Sequence, residues 1–388
     1  MKRINYFLLA VCAIAMIACK GKNTPTEPTK TDTELTAKEA ELQKVVRPYV
    51  ENTVVATYSG MATEGITLLD QCEDILDAVE NEKDYTDLMK AAGETWRRMR
   101  KYWEQSEAFL YGPAEKYDID PHIDSWPLDY QEMNALLNDS YRMGKIEEEG
   151  GAYVGDKLGY ALKGFHAAEY LLFEAGQPHA TNLTHAEAVY LVGIVEDLTQ
   201  CAIILEDCWA GSVSKEKEEI ITDEEGESMS KGENWGEYFI NVSYPLWKTY
   251  QAVAEQIVAG CVDIAGEVAD LKLGNPYRGS DNGGDSEYLE SPYSRTSTTD
   301  FTDNIISIRN AYCGAKTGDA AVSDYVKSKD ADLDAKVRAT IEESIRLIGE
   351  IKDFETTAQG NTAVKAAIDK ISELEEVLDD EVLPLLAK

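Results

Sequence analysis

The chain has 388 residues, with 72 acidic against 37 basic side chains and a formal charge of -35. It offers no basic stripe to neutralise a phosphate backbone, which excludes nucleic acid as a partner; cations and basic protein faces are the natural partners. An apolar share of 44% suits a folded core rather than a disordered acidic chain, and the length admits two domains.

From the N-terminus, Met1-Lys2-Arg3 is a short basic start, Tyr6 to Ile17 an apolar run, and Ala18-Cys19 a small residue followed by cysteine. The run is too short for a stable bilayer-spanning helix and has the shape of a secretory signal. Residues 1–18 are therefore read as a signal peptide of lipobox type. Cys19 becomes the lipidated first residue, and 19–34, rich in Thr, Pro and Lys, is a tether. This predicts a lipoprotein of a bacterial cell envelope, placed on the outer membrane and facing either the periplasm or the exterior, with membrane contact through the lipid alone. No later segment is expected to cross a membrane. Cys72, Cys201, Cys208, Cys261 and Cys313 are odd in number and widely spaced, unlike a disulfide framework, and are read as small buried apolar residues.

Apolar residues then recur at helical spacing almost throughout, as in Val337, Ile341, Ile345, Ile348 and in Val364, Ile368, Ile371, Leu374, Leu378. Helices are expected at 36–80, 84–110, 131–142, 155–175, 184–213, 235–273, 301–316, 330–357 and 362–386, with no strand: an all-α, bundle-like chain. Ser214 to Glu233, with eight acids, three lysines and almost no apolar stripe, reads as an acidic linker. It separates an N-terminal bundle, 35–213, from a C-terminal one, 234–388. Each half has a helix stopped by Gly and Pro (Gly112-Pro113; Gly274, Pro276), then a long irregular stretch, then a short helix. Long loops in compact domains tend to be functional, and their matched positions suggest a shared site between the halves.

Two carboxylates interrupt apolar stripes. Trp96, Met99, Trp103, Glu107, Leu110 is one such stripe, and Leu158, Leu162, Phe165, Glu169, Leu172 is the other. A buried, unpartnered carboxylate costs several kcal/mol, so Glu107 and Glu169 call for protons, basic partners or a metal. His166 and Glu169, three apart, leave one side of a helix together, as joint ligands of one ion do. Glu104 and Glu107 form a second such pair, which a solvated face or helix cap explains equally well. Between Glu104 and Asp129 seven acids stand against Lys116 alone. Imidazole with carboxylate suits iron or zinc. His122, His179 and His185 are expected to be exposed in or near loops, and Trp96, Trp103 and Trp126 to be packing anchors. Zinc-protease signatures fail, since HExxH is absent and Tyr170 follows Glu169 where HxxEH needs histidine; a GxSxG elbow and a glycine-rich phosphate loop are also absent.

Gly164-Phe165-His166-Ala167-Ala168-Glu169 fits a GxHxxE motif. It stands with Trp103 to Pro113 (WEQSEAFLYGP), Ile123 to Pro127 (IDSWP) and Glu290 to Ser294 (ESPYS). Together, in this order, these resemble the imelysin-like family of bacterial envelope proteins. The resemblance implies two helical bundles related by approximate two-fold pseudo-symmetry, a site near their interface and a link to iron-regulated or iron-uptake systems. It makes His166 and Glu169 the polar pair of the motif and Gly164 its close-packing residue. It adds Glu104, Glu107 and Asp124 as further metal ligands, with Asp118 or Asp120 able to replace Asp124. Trp103, Trp126, Glu290, Ser291 and Ser294 belong to the supporting motifs. The expected function is capture of a divalent or ferric metal ion, iron ahead of zinc, or of an iron-containing ligand, for delivery to an envelope transport partner, with no enzymatic step. The rivals are a metallopeptidase using the HxxE site, and a non-metal peptide or small-molecule module at the interface in which Glu169 pairs with an arginine such as Arg309.

Overall fold

Thr36 starts the first helix by accepting the Glu39 amide with its hydroxyl, which satisfies one of the free N-terminal N–H groups. In the computed structural model, which describes residues 35–223 and 226–388, this helix is α1 (Ala37–Pro48). It runs through a π-helical turn at Tyr49–Val55 into α2 (Ala56–Glu80). Pro48 lacks an N–H and crowds the preceding turn, and the hydrogen-bond register widens directly after it. The signal peptide 1–18, the lipidation site Cys19 and the tether 19–34 lie outside the described residues.

The next helix, α3 (Thr86–Glu104), is shorter than the expected 84–110. Ser106 ends it by donating both its amide and its hydroxyl to the Trp103 carbonyl, at 2.7 and 2.6 Å. Glu107–Phe109 then forms a 3-10 turn, so Glu107 leaves from a turn and not from the helical stripe. Three short helices follow: α4 (Pro113–Lys116), α5 (Ile119–Ile123) and α6 (Tyr130–Leu137). Residues 143–154, which lay between two expected helices, belong to α7 (Ser140–Lys157), capped by Asp139. The expected helix 155–175 is broken at Leu158 to Lys163, and α8 (Gly164–Leu172) starts afresh. A small antiparallel hairpin, β1 (Phe173–Glu174) with β2 (Gln177–Pro178), is the exception to the all-helical expectation apart from two isolated bridges.

The central helix is α9 (His185–Ala210), opened by a Thr184–Glu187 capping box and closed by Gly211. Contrary to the expectation that no later segment could cross a membrane, it is long and apolar enough to do so. Its most apolar window is 89% buried inside the protein, however, so its composition is that of a core helix. The acidic stretch after it holds α10 (Lys215–Ile220). The expected helix 235–273 divides into α11 (Trp235–Ile240) and α12 (Tyr250–Glu267), which Thr249 caps and a π-helical turn at Val268–Lys272 extends. There follow α13 (Gly274–Arg278), α14 (Ser297–Cys313), the unforeseen α15 (Val322–Lys329), α16 (Ala331–Ile348), α17 (Phe354–Thr357), α18 (Thr362–Val377) and α19 (Leu383–Ala387). Gly349 and a left-handed Asp353 split the expected 330–357.

The fold is all-α. One group of helices packs α2 and α7 on α9 and α3 on α2; a second packs α12, α14, α16 and α18. α1 lies against α12 and α15, so the continuous α1–α2 rod touches both groups. Their junction is α3 and the Glu107–Phe109 turn against α12 and α14. It is tight: a Cβ on Gly260 of α12 would sit 2.1 Å from the Ala108 carbonyl oxygen. Cys72, Cys201, Cys208 and Cys261 are buried and Cys313 half-buried, all as free thiols.

Candidate functional site

The two long loops meet where the helix groups join. The first brings Asp124, just past α5, and the second brings Glu290 to Ser294. Both close on Arg100 of α3, a guanidinium only 1% exposed. Arg100 pairs with Glu104 at 2.5 Å and Glu290 at 2.9 Å, and also with Asp124. Its guanidinium lies 5.0 Å from the Phe165 ring centre. Lys272, in the turn after α12 and 4% exposed at its side chain, is the second cation. Its Nζ stands 3.1 Å from Glu290, 3.6 Å from Glu107, 3.8 Å from Glu104 and 3.9 Å from Glu267.

The motif pair sits on the other side of Asp124. His166 points Nε2 at Asp124 Oδ1, 3.1 Å away, and Nδ1 at Glu169 Oε2, 3.4 Å away. Trp103 Nε1 donates to the second Asp124 oxygen at 2.7 Å. Glu169, fully buried, is held through Oε1 by the Tyr293 amide at 3.2 Å, the Ser294 amide at 2.8 Å and the Ser294 hydroxyl at 2.7 Å. Ser291 donates to Asp300 at 2.5 Å, and Asn304 donates to Glu104 at 2.5 Å. Trp126 tilts over the His166 ring at 5.1 Å.

Gly164 fixes this alignment. Its φ is +75°, and a Cβ there would lie 2.1 Å from the Ile123 carbonyl oxygen. Only glycine lets the start of α8 rest on the backbone that delivers Asp124.

The electrostatics follow from burial. Desolvation alone would favour neutral groups throughout. Burial would raise the Asp124 carboxyl, but Arg100 and the His166 hydrogen bond outweigh it and hold Asp124 well below the carboxylate range. Burial would lower the His166 imidazole, yet its two carboxylate partners lift it to about 9, so it is an imidazolium at neutral pH. The Glu104 carboxyl is pushed up to about 7 by burial against the pull of Arg100 and Lys272, and burial raises Glu107 and Asp300 well above their ordinary values. Glu104, Glu107, Asp124, Glu169, Glu290 and Asp300 thus gather around Arg100, Lys272 and His166, with half-buried Arg97 also acting on Glu169 and Asp300.

Of the sequence-derived candidates, Glu104, Glu107, Asp124, His166, Glu169, Glu290, Ser291, Ser294, Trp103 and Trp126 converge here. Asp120 lines the adjoining cavity, and Asp118 the wider cleft outside it. Arg309 does not converge, since it pairs with Glu342 at 3.6 Å. The cations of the site are Arg100 and Lys272, which the sequence reading missed. His122 also departs from expectation, because its Nε2 faces both Asp197 oxygens at 2.9 Å and its Nδ1 meets buried Lys163 at 3.2 Å.

At this site two ligand sets bring their donor atoms within 4.8 Å of one another: Asp124, His166 and Glu290, and Glu104, Glu107 and Asp124. Nitrogen with hard oxygens suits iron or zinc. An ion there would displace the His166 proton and loosen the hold of Arg100 and Lys272. A cavity of about 270 Å³, lined by Asp124, His166, Lys272 and Glu290, gives access.

A sequence profile described as Imelysin matches residues 54–378. The chain belongs to the imelysin family. This imelysin is similar to "Iron-regulated protein A" of Synechococcus elongatus, with 27% identity over 351 residues, 88% of this chain and 86% of that one. Its fold is similar to the crystal structure of a putative iron-regulated protein A precursor from Parabacteroides distasonis, with a TM-score of 0.76, 22% identity and coverage of 92% of this chain and 97% of that one. It is also similar to an imelysin-like protein from Psychrobacter arcticum 273-4, with a TM-score of 0.65, 10% identity and coverage of 90% and 96%.

Proposed function

We propose that this imelysin is a lipid-anchored cell-envelope protein that binds a metal ion, iron ahead of zinc, between Asp124, His166 and Glu290, and presents it for uptake to an envelope transport partner. The observation that carries this reading is the convergence of Asp124, His166 and Glu290, whose donor atoms lie within 4.8 Å of one another beside a cavity of about 270 Å³. Names of relatives that speak of iron regulation support the choice of metal. In the ion-free site His166 holds a proton between Asp124 and Glu169. On binding, that proton leaves, His166 and the carboxylates supply the donors, and Ser294 keeps Glu169 in place as an orienting partner.

Metal content of protein purified without chelator, followed by titration with ferrous ion under anaerobic conditions, tests this. Wild type should retain about one ion per chain and His166→Gln and Asp124→Asn should lose it, with folding checked by circular dichroism. Equal metal content in all three would sink the site. Cys19→Ser should move the protein from the membrane fraction to the soluble one.

A second reading is favoured by Arg100 and Lys272, which already bond three of the carboxylates. The cluster is then a closed ion-pair network, and the cleft outside it takes a non-metal ligand.

A further inference from the structure

A third set of metal-type donors lies outside the site. His122, Asp197 and Cys201 bring donor atoms within 4.8 Å of one another, yet a cation already sits against the imidazole. Lys163, only 2% exposed, places Nζ 3.2 Å from His122 Nδ1 and donates to the Gly155 carbonyl at 2.6 Å. His122 Nε2 faces both Asp197 oxygens at 2.9 Å. A carboxylate only accepts, so the imidazole proton is on Nε2 and Nδ1 offers its lone pair to Lys163. A metal on Nε2 would push that proton to Nδ1, against the ammonium. The cluster is therefore a filled hydrogen-bond chain running from Gly155 through Lys163 and His122 to Asp197.

The chain joins the two segments that deliver Asp124 and His166. His122 is on α5, two residues before Asp124, and Lys163 directly precedes Gly164, three residues before His166. Neither segment holds its own alignment. α5 has five residues, too few for a self-supporting helix, and both α5 and α8 start without a side-chain cap. Joined only where His166 Nε2 stands 3.1 Å from Asp124, they could pivot about that bond. A second tie between His122 and Lys163 removes the pivot. It is anchored in turn by Asp197 of α9, 4% exposed, and by Gly155 of α7. A Cβ on Gly155 would lie 2.5 Å from Asp197 Oδ1 and 3.7 Å from the His122 ring, so α7 closes over the chain because a glycine stands there.

We propose that Lys163, His122 and Asp197 are positioning residues: they form a clamp that sets the separation of Asp124 from His166 and thereby the affinity for the ion. Donor atoms must be held to within about 0.5 Å to act together, and the clamp supplies that constraint from outside the site. Its effect on the ion rests on the metal reading; its effect on the alignment of His166 does not.

The test combines nitrogen NMR of the isotopically labelled chain, which has four histidines to distinguish, with anaerobic titration by ferrous ion. Metal-free wild type should show His122 as the Nε2–H tautomer. Lys163→Met should displace the His166 ring resonances and weaken ferrous-ion binding about tenfold or more, the scale on which partners behind the ligands act. Asp197→Asn, nearly isosteric, should do the same and covers the case in which Lys163→Met fails to fold. Ile371→Val, a truncation in the core on α18, is the control for lost stability and should leave both readouts unchanged. Equal loss of affinity in Ile371→Val overturns the proposal, as do unmoved His166 resonances with unchanged affinity in the clamp variants. An Nδ1–H tautomer at His122 overturns the chain itself. If wild type binds no ferrous ion, the metal reading fails on its own and the His166 resonances decide the clamp: displaced in the variants they support it, unmoved they overturn it.

Discussion

Replacing Arg100 by methionine removes a buried cation and preserves most of its volume. In the wild type this guanidinium, 1% exposed, pairs with Glu104, Asp124 and Glu290 at once. Arg100→Met leaves three carboxylates facing one another, and breaking a buried charge network in this way costs about 3–5 kcal/mol. The unit Thr36–Lys388 should unfold with an entropy of roughly 0.7 kcal/mol per kelvin, so the melting temperature should fall by about 4–7 °C at pH 8. The loss should also depend on pH. Carboxylates deprived of their cation have raised pKa values in the folded state, and a raised acid contributes stability that is present below its unfolded pKa and lost as pH rises through the folded one. The deficit should therefore be small near pH 5 and largest at pH 8. Differential scanning calorimetry of both proteins at the two pH values decides it. A fall below about 2 °C at pH 8, or one equal at both, would refute the view that Arg100 balances these three acids.

Two further outcomes follow from the same site. The metal-free wild type should melt at progressively lower temperature from pH 5 to pH 9. Glu104 (from 4.5 to about 7), Asp120 (from 3.8 to about 6) and His166 (from 6.5 to about 9) all have raised folded values, and each loses its stabilising contribution as pH climbs through that value. A melting temperature in chelator that is flat or rising over this range contradicts the assignment; Asp124, held low, matters only under strongly acid conditions. Gly164→Ala should destabilise by at least about 1–2 kcal/mol from its left-handed backbone alone, with a further cost from contact with the Ile123 carbonyl. Gly144→Ala, on α7 with nothing within 4 Å of its added methyl, is the control and should be neutral or slightly stabilising in urea unfolding.

The helical periodicity placed most of the long helices, because an amphipathic stripe is written residue by residue in the chain. It misplaced the ends. Ser106 and Gly164 set two of them through backbone hydrogen bonds and a left-handed turn, which a 3.6-residue repeat does not encode. Glu107 was singled out as part of a helical stripe, yet it is buried because the 3-10 turn presses on Gly260. The two cations were overlooked although each left a trace. Arg100 stands four residues before Glu104 on the stripe of Trp96, Met99 and Trp103, and Lys272 continues Ala265, Val268 and Ala269. Searching apolar stripes for acids alone found half of a charge-balanced cluster. Glu290 and Ser294 came only from the resemblance, since their loop has no periodicity, and their partners Arg100 and Glu169 lie more than a hundred positions away.

The first helix has a mechanical consequence. Glu39 on α1 accepts the Tyr250 amide at 2.7 Å and the Gln251 amide at 3.0 Å, clasping the start of α12, and Lys38 reaches Gln251 at 2.6 Å. The same rod continues through Tyr49–Val55 into α2, deep in the other helix group. A pull applied at Thr36 is therefore borne by both halves of the molecule in parallel, and the chain cannot be peeled one helix at a time from that end. A single-molecule stretch from Thr36 should show one high-force rupture in place of a staircase of small ones.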